Sequence, residues 1–174
     1  MSPAGFTIRA AQPRDIPALL GLIGELAEYE KLTHLMRATP EGLQAELFGP
    51  RACAEAVVGE VPADGGPAVV AMAIYFHNFS TFLSRRGLWL EDLYVQPAWR
   101  GRGFGRALLA HVAGIARARG CGRFEWSVLD WNEPAIRFYR SMGADVMPDW
   151  RICRVTGSAL ESLAGPREEA APNH

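Results

Sequence analysis

The feature that most constrains this chain is an apolar run that ends in two carboxylates and opens onto a glycine-rich loop. It reads Leu88-Trp-Leu-Glu-Asp-Leu-Tyr-Val95, then Gln96-Pro-Ala-Trp-Arg-Gly-Arg-Gly-Phe-Gly105. The first part has the pattern of a buried strand. The second is a turn and loop leading into a helix over Arg106–Arg119, with Leu108, Val112 and Ile115 on one face. Such a loop points several backbone N–H groups at one spot and adds the positive end of a helix dipole. The junction therefore predicts a phosphate or pyrophosphate site, with Glu91 and Asp92 in the strand beside it. Strand alternation puts these two on opposite faces, so at least one faces a packed side or a cleft, where an unpartnered carboxylate is costly.

Two familiar phosphate motifs fail on the letters. A P-loop needs Gly-Lys-Ser/Thr at the helix entry, and this chain has Gly105-Arg106-Ala107. The dinucleotide fingerprint needs a third glycine where Arg106 stands, in a first βαβ unit, whereas three strands precede this loop. A glycine-rich turn with no ligand is the bland alternative, and the five arginines in and around the loop and its helix weigh against it.

Elsewhere, Phe6–Ala11 alternates as a strand, and apolar residues recur at helical spacing from Ile16 to about Lys31. Thr39-Pro40-Glu41 starts a short helix to about Phe48, an N-cap with proline at the first helical position. Ala54–Val61 and Ala68–Tyr75 predict two strands paired antiparallel across Pro62–Pro67, and His77–Gly87 reads as irregular. Further elements are a strand over Arg123–Leu129, a helix over Asn132–Met142, a strand over Arg151–Val155 and a short helix over Ser158–Ala164. The order predicts an α+β (α/β layered) fold, a mixed sheet with helices on both faces. One domain over residues 1–165 with a frayed tail over 166–174 is expected.

A hydrophobic content of 49% with 21% charged residues is that of a globular protein, and no apolar run is long enough to span a bilayer. The N-terminus has no basic region followed by an apolar one, so export is not expected. Cys53, Cys121 and Cys153 lie far apart and read as reduced thiols of a cytoplasmic protein. The histidines have no metal-ligand spacing, so no metal is expected. A net charge of −1 argues against general nucleic-acid binding. Its distribution is uneven: residues 85–123 hold eight arginines against two acids, while residues 1–60 hold eight acids against five bases. That suits an anionic cofactor beside a cationic substrate.

Arg100-Gly-Arg-Gly-Phe-Gly105 resembles the acetyl-CoA loop, Q/R-x-x-G-x-G/A, of the GNAT superfamily of N-acetyltransferases. Leu90-Glu-Asp-Leu-Tyr-Val95, Asp130-Trp-Asn-Glu-Pro-Ala-Ile-Arg-Phe-Tyr139, Ile8-Arg9 and Leu26-Ala-Glu-Tyr-Glu30 resemble its diamine branch, the spermidine/spermine acetyltransferase-like proteins. The similarity runs from about Phe6 to Leu163. It implies a mostly antiparallel GNAT-like sheet, acetyl-CoA as co-substrate and direct acetyl transfer to the primary amine of a small cation. It also implies a homodimer. An idle acyl-CoA-binding module and a protein-amine acetyltransferase are the alternatives.

The resemblance also assigns roles. Backbone amides from Arg102 to Arg106 hold the CoA pyrophosphate, within a cofactor-binding loop of Arg100, Gly101, Arg102, Gly103, Phe104, Gly105 and Arg106. The strand Leu88–Val95 splays from Arg123–Leu129 to admit pantetheine. The Leu93 N–H faces the thioester oxygen, and the Val95 backbone pairs with a pantetheine amide. Asn132 and Tyr139, seven apart on one helix, share a face. Asn132 bonds the pantetheine arm or caps its helix, or both. Tyr139, neutral at pH 7, donates to the leaving thiolate. Glu91 is the candidate base, and Glu28, Glu91, Asp92 and Trp150 line the amine site, with Glu30 a further acid there. One departure stands out. The polyamine enzymes carry another acid before the Leu-Glu-Asp strand, whereas residues 77–87 contain no acid and two arginines. That disfavours a long polycation and favours a shorter amine or a basic amino acid such as lysine or thialysine.

Overall fold

The computed structural model describes residues 3–165 and divides the chain into two compact units, Met1–Trp131 and Asn132–His174. The tail expected over 166–174 lies outside the described residues.

The first unit is built on a five-stranded sheet in sequence order: β1 Thr7–Ala10, β2 Glu55–Val61, β3 Ala68–Ser80, β4 Arg85–Val95 and β5 Phe124–Trp126. Neighbours are antiparallel except β4 and β5, which run parallel. A parallel neighbour requires a crossover, and α3 (Phe104–Ala118) supplies it. Helix α1 (Ile16–Tyr29) places Leu19 and Leu22 on Val58, Met72, Ile74 and Tyr94. Alternation sends Ala71, Ala73 and Tyr75 of β3 to the other side, where they are also buried. There α3 packs on β3 and β4 with Leu108, Leu109 and Val112 inside. The expected helices on both faces of a mostly antiparallel sheet are therefore present. Helix α2 (Pro40–Phe48) is short, and the Thr39 hydroxyl caps it by accepting from the Gly42 N–H at 3.1 Å.

The start of the chain is fixed by charge. The Arg9 guanidinium spans Asp15 (2.6 and 2.8 Å) and Glu60 (2.5 Å), tying β1 to the entry of α1 and to β2. This arginine, with the Gln12 N–H as a further donor, holds the buried Asp15 carboxyl below its usual range.

Residues 77–87 depart from expectation. They are not irregular: β3 runs on to Ser80 and β4 begins at Arg85, with His77 opposite Leu88 and Ser80 opposite Arg85. The polar and aromatic letters hide a ladder that only the partner strand reveals. The strand expected over Arg123–Leu129 shrinks to Phe124–Trp126, because pairing with β4 stops at Leu90↔Trp126.

The second unit holds α4 (Glu133–Ser141) and α5 (Gly157–Ala164). Pro134 sits in the first turn of α4, and Asn132 caps it by accepting from the Ala135 N–H at 3.3 Å. The strand expected at Arg151–Val155 does not form among the described residues: these five are exposed and carry no ladder pairing. Their alternating letters give a propensity, and a strand also needs a hydrogen-bonded neighbour.

Candidate functional site

The glycine-rich loop forms the start of α3. Gly101 (φ 73°) and Gly103 (φ 82°) both lie in the left-handed region that side chains other than glycine adopt at a cost. Gly103 is the N-cap, and the first backbone bond of the helix runs from the Ala107 N–H to the Gly103 carbonyl. The amides of residues 104–106 precede that bond, and no acidic side chain stands in the first turn. The arrangement suits an anion. The loop is anchored by aromatics: buried Phe104 stacks on Phe6 (centroids 3.9 Å, planes 11° apart) and on Trp99 (5.9 Å). The Arg102 guanidinium lies 4.7 Å over Trp99.

Arg100 stands differently from the expectation that it joins the anion loop. Its Nε donates to the Val95 carbonyl at 2.9 Å, and its guanidinium lies 5.0 Å over Tyr29 and 5.3 Å over Tyr94. The Val95 carbonyl thus accepts from this side chain.

The second feature is the outer half of β4. Beyond Leu90 the strand has β3 on one side and no pairing with β5 on the other, because β5 ends at Trp126.

A β-bulge sits at the same point. Tyr75 pairs with Leu90 and Ile74 with Asp92, leaving Glu91 as the extra residue. The bulge changes the face that follows it. Leu90 shares the side of Tyr75, whereas Asp92 shares the side of Ile74, which is the side α1 covers. Glu91 is exposed, and its carboxylate accepts from the Trp89 indole N–H at 3.0 Å. Trp89 pairs with Phe76 and so lies on the Ile74 side as well. The expectation that Glu91 and Asp92 point to opposite faces is therefore corrected: the extra residue brings both carboxylates to the α1 side.

Asp92 is half-buried, and its carboxyl is pushed up to about 6. Burial is the main cause, followed by the negative charges of Glu91 and Glu30. Glu30 ends α1, and burial raises its carboxyl too. Glu28, the acid expected to join the amine site with it, is exposed and one residue the other side of Tyr29. Glu30 is half-buried on the other side of that tyrosine. The same edge carries Tyr29 against Trp131 (centroids 6.1 Å), with the Lys31 ammonium 6.0 Å over that indole. Glu25 accepts from the Tyr94 hydroxyl (3.2 Å) and from Gln96 Nε2 (2.7 Å), which fixes the end of β4 to α1. The contacts of Arg100, Tyr29 and Trp131 join residues far apart in the chain and are not legible in the letters.

In the second unit, Asn132 is buried at the cap of α4, and Tyr139 is half-buried two turns along the same helix, its ring 5.2 Å from Phe138. Trp150, 74% exposed, lies beyond that helix. No group of three or more His, Cys, Asp or Glu among the described residues could hold a metal ion.

Comparison with known proteins agrees with this chemistry. The family described as "Acetyltransferase (GNAT) family" matches residues 25–144. The chain is 37% identical over 169 residues to thialysine N-epsilon-acetyltransferase of Mus musculus, covering 93% of this chain and 99% of that one. It is 33% identical over 207 residues to L-ornithine N5-acetyltransferase of Arabidopsis thaliana, covering 93% and 91%. Among solved structures, an integron cassette protein from the mobile metagenome of V. cholerae superposes with a TM-score of 0.75. It shares 26% identity and covers 92% of this chain and 98% of its own.

Proposed function

The chain belongs to the acetyltransferase (GNAT) family, and we propose that the acceptor is the side-chain amine of a small basic amino acid, or a short diamine, rather than a long polyamine. It is an acetyl-CoA-dependent N-acetyltransferase. The observation that carries the acceptor reading is the group of three carboxylates, Glu30, Glu91 and Asp92, at the point where β4 outruns β5. The relatives named for ornithine and thialysine act on amines carried by amino acids, which supports it.

In this reading the amides of residues 102–106 at the start of α3 take the pyrophosphate of CoA. Arg102 and Arg106 add charge. The thioester carbonyl is what CoA supplies to the reaction. The Leu93 N–H polarises that carbonyl and Val95 aligns the pantetheine arm, with Asn132 as a further contact. Glu28, Glu91 and Asp92, with Glu30, attract the cationic acceptor, Trp150 walls it, and Glu91 takes a proton from it so that a neutral amine attacks. Tyr139 returns a proton to the departing sulfur. None of the three cysteines stands in these matched segments, so attack is direct.

Arg85 and Arg86 do not serve as the anchor for an acceptor's carboxylate. Arg86 precedes Asp92 by six strand residues, or about 20 Å at the usual rise, well beyond the span of a lysine. We further propose a homodimer, in line with the branch the sequence resembles. A cytoplasmic setting agrees with the free thiols of Cys53, Cys121 and Cys153. No helix among the described residues is long and apolar enough to cross a membrane.

Mass spectrometry after incubation with acetyl-CoA and a mixture of ornithine, lysine, thialysine, putrescine and spermidine tests the proposal. Acetylated amino acids ahead of acetylated spermidine are expected. Preferential acetylation of spermidine overturns the choice of acceptor. Binding of acetyl-CoA with no acetylated amine favours the idle binding module.

A further inference from the structure

We propose that the outer end of the β3–β4 hairpin is a docking surface for an acidic, extended segment of another protein. The segment adds to the free edge of β3 and meets Arg85 and Arg86, which have no part in the chemistry above.

The free edge comes from unequal strand lengths. The β2–β3 ladder ends at Glu55↔Tyr75, while β3 continues to Ser80. Phe76–Ser80 therefore have β4 on one side and no strand on the other among the described residues. The direction of their backbone groups follows from β4. The Leu88 N–H donates to the Arg123 carbonyl at 3.0 Å, and the Arg86 carbonyl accepts from the Gly122 N–H at 2.9 Å. Both residues thus face β5. In an antiparallel ladder their opposites, His77 and Phe79, then turn their backbone groups away from β4. Among the described residues no backbone bond meets those groups, and the Phe79 carbonyl has only the Arg123 guanidinium, at 3.4 Å. A short row of open donors and acceptors is a template for an added strand.

The turn beyond holds apolar groups out in water. Phe82 is 96% exposed and Phe79 62%. The turn that carries them is fixed from within. The hydroxyl of buried Ser80 accepts from the Leu83 N–H (3.3 Å), and the Ser84 N–H donates to the Thr81 carbonyl (3.4 Å). Leu83 lies over Gly122, where a Cβ would stand 3.0 Å from Leu83 Cδ1. A ring presented by a preformed turn loses little freedom on binding, and aromatic rings with arginines dominate the energetics of protein interfaces. A hollow of about 470 Å³ beside the turn is lined by Phe79, Ser84, Arg85, Arg86 and Gly120.

Charge selects the partner. Neither the Arg85 nor the Arg86 guanidinium has a hydrogen bond or ion pair among the described residues. The acids of this end are engaged, Glu125 by Arg123 (2.7 Å) and Glu55 by Arg119 (2.8 Å). Arg86 stands opposite Phe79 and Arg85 opposite Ser80, so the two arginines lie on opposite faces of the hairpin. A strand laid along β3 sends its side chains alternately to those faces, and an acid on either face finds an arginine one strand away. Two free cations are too few for a membrane surface or a nucleic acid, each of which is held by a broad basic face. The loop that starts α3 is a helix length away, about 22 Å for 15 residues, so this surface is separate from the cofactor site.

Selection of random dodecapeptides displayed on phage tests the proposal, with the wild type as target and the Arg85→Glu/Arg86→Glu variant as counter-target. The selected peptides should be rich in Asp and Glu alternating with apolar residues. Once synthesised, they should bind the wild type about tenfold or more tightly than they bind that variant or Phe82→Ser. They should also slow amide exchange at His77 and Phe79. Acetyl transfer by both variants should match the wild type, which shows that they are folded. The proposal is overturned if no peptide is selected, if the peptides show no excess of acids, if they bind wild type and variants alike, or if they protect amides elsewhere. Altered turnover in either variant overturns it too, because the hairpin then belongs to the reaction. So does tighter binding of phosphatidylserine vesicles or oligothymidylate than of the peptides. A solution mass that changes in the double variant overturns it as well, since the hairpin is then a contact between copies of this chain.

Discussion

The ring of Phe6 lies flat on the ring of Phe104, with centroids 3.9 Å apart and planes 11° apart. The residue before β1 is thereby fastened to the first residue of α3. Gly59 of β2 makes the contact possible: a Cβ there would stand 2.3 Å from Phe6 Cζ. Gly59→Ala should therefore push Phe6 off Phe104 and lower stability by about 1–3 kcal/mol, the usual cost of overfilling a packed site. Chemical denaturation measures the loss. Acetyl-CoA affinity should fall with it, because the stack holds the helix start. An unchanged midpoint would show that Phe6 moves aside freely.

Gly103 carries a φ of 82° at the helix entry. Gly103→Ala should cost about 1–2 kcal/mol for the left-handed conformation. The new Cβ would lie 3.5 Å from Pro3 Cγ, an ordinary contact, so the strain is in the backbone. If the local amides hold the pyrophosphate, the Kd for CoA rises by more than the Kd for pantetheine, which has no diphosphate. Equal effects on both ligands would contradict this.

Acid sensitivity should trace to Arg9 and Asp15. The folded Asp15 carboxyl is held below its ordinary value, chiefly by Arg9. Its contribution is present above the unfolded value of about 4 and is lost as pH falls through the lower, folded one. Arg9→Met leaves a carboxylate that is 5% exposed without its partner, at a cost of roughly 3 kcal/mol near neutral pH. The Tm of the variant should drop at pH 7 and converge on the wild type in acid. Parallel Tm curves would show that the pair is not responsible.

Tyr139→Phe keeps the ring beside Phe138 and removes the hydroxyl. Turnover should fall by a factor of tens or more, with CoA binding little changed, as for loss of a general acid. Equal turnover in a steady-state assay would remove the phenol from the reaction.

Much of this fold is legible in the letters, for identifiable reasons. Helix α1, helix α3 and the β2–β3 hairpin declare themselves through local periodicity and turn residues, and Asn132 is where a cap belongs. The outer part of the β3–β4 hairpin is not legible, because His77, Asn78, Phe79 and Ser80 become a strand only by pairing with residues 85–88. Arg151–Val155 shows the converse, a strand-like pattern with no ladder. The candidate site divides the same way. The glycine loop is a motif of consecutive letters and can be read. The bulge at Glu91 is a mismatch between two strands, so neither strand's letters announce it, yet it decides which side Asp92 faces. The stacking of Arg100 on Tyr29 and Tyr94 joins residues far apart in sequence and was equally hidden.

The claim on which the rest depends is that the start of α3 binds the diphosphate of coenzyme A. Calorimetric titration of the purified protein with CoA, and separately with pantetheine, measures it directly. The account predicts a clear heat of association with CoA and much weaker binding of pantetheine. No detectable association with CoA at millimolar concentration, or equal affinity for both, would contradict it.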